Sequence, residues 1–175
     1  LARLGVHILR YHNSDIMKNI SGVYENLVAQ ISKLNETHPN PPLSVRELIR
    51  DSKQLSAQQR EKAAQWIKTN SLAWSIGEAS VEEIDHYNIL RAAHLAMRRA
   101  VASLKAPPNL LLIDGRPARL HDSIPELCII KGDQLCYSIA AASILAKVHR
   151  DHIMTKLGME FPAYRWDSNK GYGSA

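Results

Sequence analysis

Apolar positions along this chain recur at two spacings, and the changes between them mark its elements. Gly5 to Tyr11 (GVHILRY) is β-branched and aromatic and predicts a strand. Ile16, Ile20, Val23, Leu27 and Ile31 then fall on one stripe of a helix from about Asp15 to Leu34, with Asn13 or Ser14 as its cap. Asn35 to Ser44 (NETHPNPPLS) carries three prolines and predicts an extended linker. Ser56 followed by Gln59 is a capping-box signature for a helix through about Thr69. Leu72 to Ala79 (LAWSIGEA) alternates and predicts a strand. Ser80 with Glu83 opens a second capped helix, whose face of Leu90, Ala93, Met97, Val101 and Leu104 runs to Lys105 before Pro107 and Pro108 end it. Leu110 to Ile113 and Leu127 to Ile130 are short apolar runs suited to strands buried on both faces. A long helix is predicted from about Gln134 to Leu157 with Gly158 as its C-terminal cap, then a loop-like tail. Strands alternating with helices predict an α/β layered fold.

Composition narrows the class. The 175 residues are 45% hydrophobic and 22% charged, which suits one globular domain, or one domain plus a fragment. No run approaches the roughly 18 apolar residues of a membrane span, and the first residues lack the marks of a signal peptide. No membrane partner is expected. Two cysteines, Cys128 and Cys136, cannot build a disulfide scaffold, and a cytoplasmic setting is expected. Net charge of +5 permits a polyanionic partner.

Candidate chemistry gathers in the second half. Asp114 follows LLLI and precedes Gly115, at the carboxyl end of a predicted strand, where ligand sites of open α/β sheets collect. A turn-forming Asp before Gly is the plainer alternative. Asp133 follows CIIKG and precedes the long helix, where it could equally serve as a cap. Two carboxylates converging from neighbouring strands call for a cation, and Mg²⁺ is the usual one. Lys147 and Arg150 share a helical face and could hold phosphates, or form a solvated basic edge. In NKGYG, Lys170 and Tyr172 stand beside glycines, so a ring could meet a sugar or base while the lysine reaches a phosphate. Lys53, in RDSKQLS, is a basic side chain just before a capped helix. His149 and His152, three apart, could ligate zinc only if other ligands joined them, and the sequence offers none nearby.

Taken in order, IRDSKQLS, LAWSIGEASVEEID with NIL, LLIDG, KGD, SIAAASILAKVHRD and NKGYG resemble the motifs of bacterial ribonuclease HII over about residues 48–175. The resemblance implies an α/β, ribonuclease H-like fold with a mixed sheet flanked by helices, here incomplete. It implies endonucleolytic cleavage of RNA in RNA–DNA hybrids, including single ribonucleotides in duplex DNA, with Mg²⁺ or Mn²⁺; separately, a monomer is expected. It further implies that Asp114 and Asp133 are catalytic metal-binding carboxylates, and that Tyr172 packs on the sugar at the RNA–DNA junction. Lys53 and Lys147 match basic positions near the substrate backbone, and Arg150 and Lys170 join them as nucleic-acid-binding candidates.

The chain also departs from the family. The Asp-Glu-Ala-Gly-Arg-Gly strand, which supplies two of four acidic residues, occurs nowhere in the sequence. Weak or absent activity is therefore expected. Residues 1–38 faintly resemble the C-terminal strand and helix of very-short-patch-repair-type endonucleases and carry over no site. The expected organisation is a strand–helix remnant over 1–38, a Pro-rich linker over 39–47 and a partial ribonuclease HII-like domain over 48–175. The alternative readings are a non-catalytic nucleic-acid-binding remnant and an unstable partial gene product.

Overall fold

A computed structural model describes residues 49–172. The predicted strand and helix over 5–34 and the linker that follows lie outside these residues. A 3₁₀ turn, Ser52–Gln54, leads into α1 (Ala57–Asn70). Ser56 and Gln59 form the expected capping box: the Ser56 amide donates to Gln59 Oε1 (2.8 Å), and the Gln59 amide donates to Ser56 Oγ (3.2 Å). Then follow α2 (Val81–Tyr87), α3 (Ile89–Ala102), β1 (Leu111–Asp114), β2 (Glu126–Ile129), α4 (Gly132–Leu135), α5 (Tyr137–Glu160) and α6 (Trp166–Asn169).

The main core lies between α1 and α5. Ala63, Ala64 and Ile67 meet Ala140, Ile144, Leu145 and Val148, with Ile49 and Leu55 closing one end. Small residues on both helices let the two backbones approach closely. Ala140 and Ala141 of α5 pack in this cluster with α1, and Ala142 is exposed. His149 and His152 each bond a glutamate from a different segment: Glu78 at 2.7 Å and Glu61 at 2.6 Å. They act as surface ties, with no zinc constellation around them among the described residues.

The α/β expectation is met by β1 and β2, which pair in parallel with Leu111 opposite Glu126 and Asp114 opposite Ile129. A parallel pair usually needs a helical crossover. Here the connection is an irregular loop fastened by one side chain: the Glu126 carboxylate accepts from the amides of Ala118 (3.2 Å), Arg119 (2.9 Å) and Leu120. Leu111, Ile113, Ala118 and Leu120 form a second small core beneath that loop.

Of the local expectations that fail, three have a plain physical reason. Leu72 to Ala79 forms neither strand nor helix and joins no ladder among the described residues, because alternation supplies faces and not a pairing partner. Side-chain bonds strap it onto α3 instead: Ser75 Oγ donates to the Ala100 carbonyl (2.5 Å) and Arg99 donates to the Glu78 carbonyl (2.7 Å). Gly77 makes the close approach possible, since a Cβ there would stand 1.9 Å from the Ala96 oxygen. The helix expected from Ser80 to Lys105 is two helices, broken at Asn88, which adopts a left-handed φ of 75°. Its Oδ1 accepts from the Leu90 and Arg91 amides, both at 3.1 Å, so the same residue breaks one helix and caps the next. Gly158 does not end α5. It is buried inside the last turn, and a Cβ would stand 2.4 Å from the Asp167 amide nitrogen, so it admits α6 against the helix.

Arg99 also clasps Glu83 through two nitrogens (2.7 and 2.6 Å), tying α3 to α2. Its guanidinium, aided by the Ser80 amide, lowers the Glu83 carboxyl from 4.5 to about 2. A depressed carboxyl stabilises the fold above its unfolded value and loses that contribution as pH falls through its folded value. The Tm gap between wild type and Glu83→Gln is therefore expected in full at pH 7. Melts should show it shrinking below about pH 4.5 and gone near pH 2. The pair is open to solvent, so the gap is only about 1–2 °C.

Candidate nucleic-acid interface

The acidic corner is built by the ends of β1 and β2. Leu111 and Ile113 turn into the core, which leaves Asp114 exposed at the carboxyl end of its strand. Asp114 Oδ1 accepts from the Gly132 amide at 2.8 Å, so its carboxylate stands on the first turn of α4, whose second residue is Asp133. The turn is tight. Lys131 has a left-handed φ of 56°, and a Cβ on Gly132 would lie 2.5 Å from Ile139 Cδ1. Asp133 does not cap the helix, and its carboxylate makes no hydrogen bond to another described residue; Lys131 occupies the cap position. The Asp114 side chain and the Asp133 backbone thus meet at one corner. Among the described residues, no group of three or more His, Cys, Asp or Glu gathers anywhere.

Beside this corner lies a cleft of about 370 Å³, lined by Arg50, Asp51 and Gln54 on one side and Asp133, Cys136 and Tyr137 on the other. Asp51 is buried and accepts the Lys53 amide on Oδ1 (3.0 Å), shaping the 3₁₀ turn. Ser52 Oγ and Ser143 Oγ bond at 3.0 Å and fasten that turn to α5. The Lys53 side chain is exposed and is not among the residues lining the cleft.

A second constellation lies further along α5. Lys147 Nζ and the Arg150 guanidinium carbon each stand 4.9 Å from the centroid of the Tyr172 ring. Cations over an aromatic face are attracted by its quadrupole. Lys170 (φ 51°) and Gly171 (φ 74°) both adopt left-handed backbone, turning the chain so that Tyr172 folds back onto the helix. Lys170 Nζ donates to Thr155 Oγ1 (2.5 Å) and to the Asp167 carbonyl (2.6 Å), while Arg150 donates to the Lys170 carbonyl (3.4 Å). So Lys147, Arg150, Lys170 and Tyr172 form one group. Lys147 is ten residues beyond the start of α5, roughly 15 Å at the helical rise per residue, and Tyr172 does not line the acidic cleft.

Several residues that organise the site had no local signal in the sequence. Asp51 caps the Lys53 turn, Glu126 fastens the loop after Asp114, and Asp151 bonds Lys147 Nζ at 2.6 Å while facing Arg60 at 3.5 Å. Each joins chain segments that only the fold brings together. Burial pushes the Cys128 thiol up, with the Glu126 carboxylate acting in the same sense.

The family model for ribonuclease HII matches residues 44–175. The ribonuclease HII of Bacteroides fragilis is 53% identical over 126 residues, covering 72% of this chain and 63% of that protein. The ribonuclease HII of Pelagibacter ubique is 48% identical over 135 residues, covering 74% of this chain and 69% of that protein. Among solved structures, the ribonuclease H2 from Pyrococcus horikoshii OT3 superposes with a TM-score of 0.59 at 26% identity, covering 67% of this chain and 63% of that one. This chain spans about 63% of the length of the Bacteroides relative. With three quarters of its residues matched to one family model, the chain belongs to the ribonuclease HII family.

Proposed function

We propose that this chain serves the endonucleolytic hydrolysis of RNA in RNA–DNA hybrids, including single ribonucleotides in duplex DNA. One observation carries the reading most: Asp114, at the carboxyl end of a parallel strand, stands on the turn that bears Asp133. Two carboxylates fit a hard divalent ion, which takes one or two carboxylates and completes its shell with water and phosphate oxygens. Asp114 and Asp133 would hold Mg²⁺ or Mn²⁺, and the bound ion would supply Lewis-acid stabilisation of charge at the phosphodiester. Lys53, Lys147, Arg150 and Lys170 bind backbone phosphates without regard to sequence. Tyr172 offers a ring to the sugar at the junction, where the 2′-hydroxyl is the group that distinguishes RNA from DNA. A single chain supplies all these groups, which suits a monomer, and the two free cysteines suit a cytoplasmic setting. None of the described helices is long and apolar enough to cross a membrane.

Turnover by this chain is weak in this reading, because the sequence lacks the Asp-Glu-Ala-Gly-Arg-Gly strand and two carboxylates provide about half the family's ligand charge. The test is a gel assay with a duplex holding one ribonucleotide, beside an all-DNA duplex, in Mn²⁺. Tighter binding of the ribonucleotide duplex is expected, with scission barely above an Asp114→Asn control. Clear turnover above that control contradicts the weak activity, and equal binding of both duplexes contradicts the substrate.

A further inference from the structure

Asp151 lies at the centre of a network that the assignments above leave unused. Its Oδ1 accepts from Lys147 Nζ at 2.6 Å, and its Oδ2 meets Arg60 at 3.5 Å. All three side chains are largely withdrawn from water, at 15% exposure for Arg60, 14% for Asp151 and 21% for Lys147. Each cation then reaches a different segment. Arg60 donates from its other terminal nitrogen to the Ser52 carbonyl (3.1 Å) and the Leu55 carbonyl (2.5 Å), which bracket Lys53 in the chain. Lys147 stands over the Tyr172 ring at 4.9 Å.

We propose that Asp151 is a positioning residue that couples the Lys53 turn to the Tyr172 loop, holding both in register for a single nucleic-acid backbone. The inference rests on the reading that these two segments face nucleic acid. Its physical basis is charge. Arg60 and Lys147 are like charges held on the two oxygens of one carboxylate, and without that carboxylate they repel in a site with little water to screen them. Lys147 then swings away from the ring, and Arg60 loses the tie that fixes its reach to the Ser52 carbonyl. An ammonium has three donors, so the bond to Asp151 orients Lys147 and leaves protons for a phosphate.

The experiment compares wild type, Asp151→Asn, Asp151→Glu and Tyr172→Ala by thermal melt, by NMR of the tyrosine ring protons in free protein, and by anisotropy with a labelled duplex carrying one ribonucleotide. Tyr172→Phe identifies the Tyr172 ring signals. Asp151→Asn is expected to move those signals and weaken duplex binding about five- to twentyfold, and Asp151→Glu should recover most of both. In the Tyr172→Ala background, Asp151→Asn should cost less than about twofold more, since coupled residues are not additive. Unmoved ring signals, or an Asp151→Asn loss of equal size in both backgrounds, overturn the proposal. If Tyr172→Ala itself leaves duplex binding unchanged, the nucleic-acid role of that ring fails, while the ring signals still decide the coupling. Should Asp151→Asn not fold, Arg60→Gln replaces it. Arg60 does not touch the Tyr172 ring, so movement of its signals supports the coupling and unmoved signals overturn it.

Discussion

Ile144→Ala is expected to remove about 2–4 kcal/mol of stability, seen as a Tm loss of roughly 10–15 °C in a thermal melt. Ile144 is fully buried, at 0% exposure, in the cluster that α1 and α5 share. Its neighbours Ala63, Ala64 and Ala140 are too small to fill the space it would leave, so the cavity would persist rather than collapse. The effect reaches the candidate site because Ile144 follows Ser143, which is bonded to Ser52, and precedes Lys147 by less than one helical turn. Ala142→Ser, on the exposed face of the same turn, should change stability by less than about 0.5 kcal/mol. Equal melts for the two variants would refute the account of the core.

Tyr172→Ala should carry the largest effect on binding. Stacking of a nucleotide on an aromatic side chain is worth about 1–3 kcal/mol, so affinity for a ribonucleotide-containing duplex should fall roughly five- to 150-fold. Tyr172 is 56% exposed, and both Lys147 and Arg150 attend its ring, so its loss removes a contact face without emptying a core. The melt should therefore stay within about 2 °C of wild type. Tyr172→Phe keeps the ring and should keep most of the affinity. An anisotropy titration against duplexes with and without one ribonucleotide measures both. Unchanged affinity in Tyr172→Ala would remove the ring from the interface.

Local physics explains which features the sequence made legible. Ser56 with Gln59 and Ser80 with Glu83 are contacts within one helical turn, so both capping boxes could be read directly, and both form. The apolar runs before Asp114 and Asp133 gave β1 and β2 to within a residue. Leu72 to Ala79 shows the limit: alternation describes two faces, whereas a strand also requires a neighbour. Asn88 broke a continuous apolar stripe because its short amide tolerates left-handed backbone while capping the next helix, which periodicity cannot reveal. Gly158 read as a terminator but serves packing against Asp167, a partner set by the tertiary fold. The candidate site divides the same way. Asp114 and Asp133 stood out by their places after apolar runs, and Lys147, Arg150, Lys170 and Tyr172 by their motifs. Asp51, Glu126 and Asp151 gave no sign, since carboxylates that fasten remote loops resemble any surface acid until the chain is folded.

The central claim is that Asp114 and Asp133 jointly hold a divalent ion against a phosphodiester. Its most direct test is a Mn²⁺ titration of affinity for a single-ribonucleotide duplex, run on wild type, Asp114→Asn and Asp133→Asn. The account predicts that Mn²⁺ strengthens binding by wild type and that either substitution abolishes at least about tenfold of that gain, equivalent to ~1.4 kcal/mol. An identical Mn²⁺ response in all three proteins would contradict it.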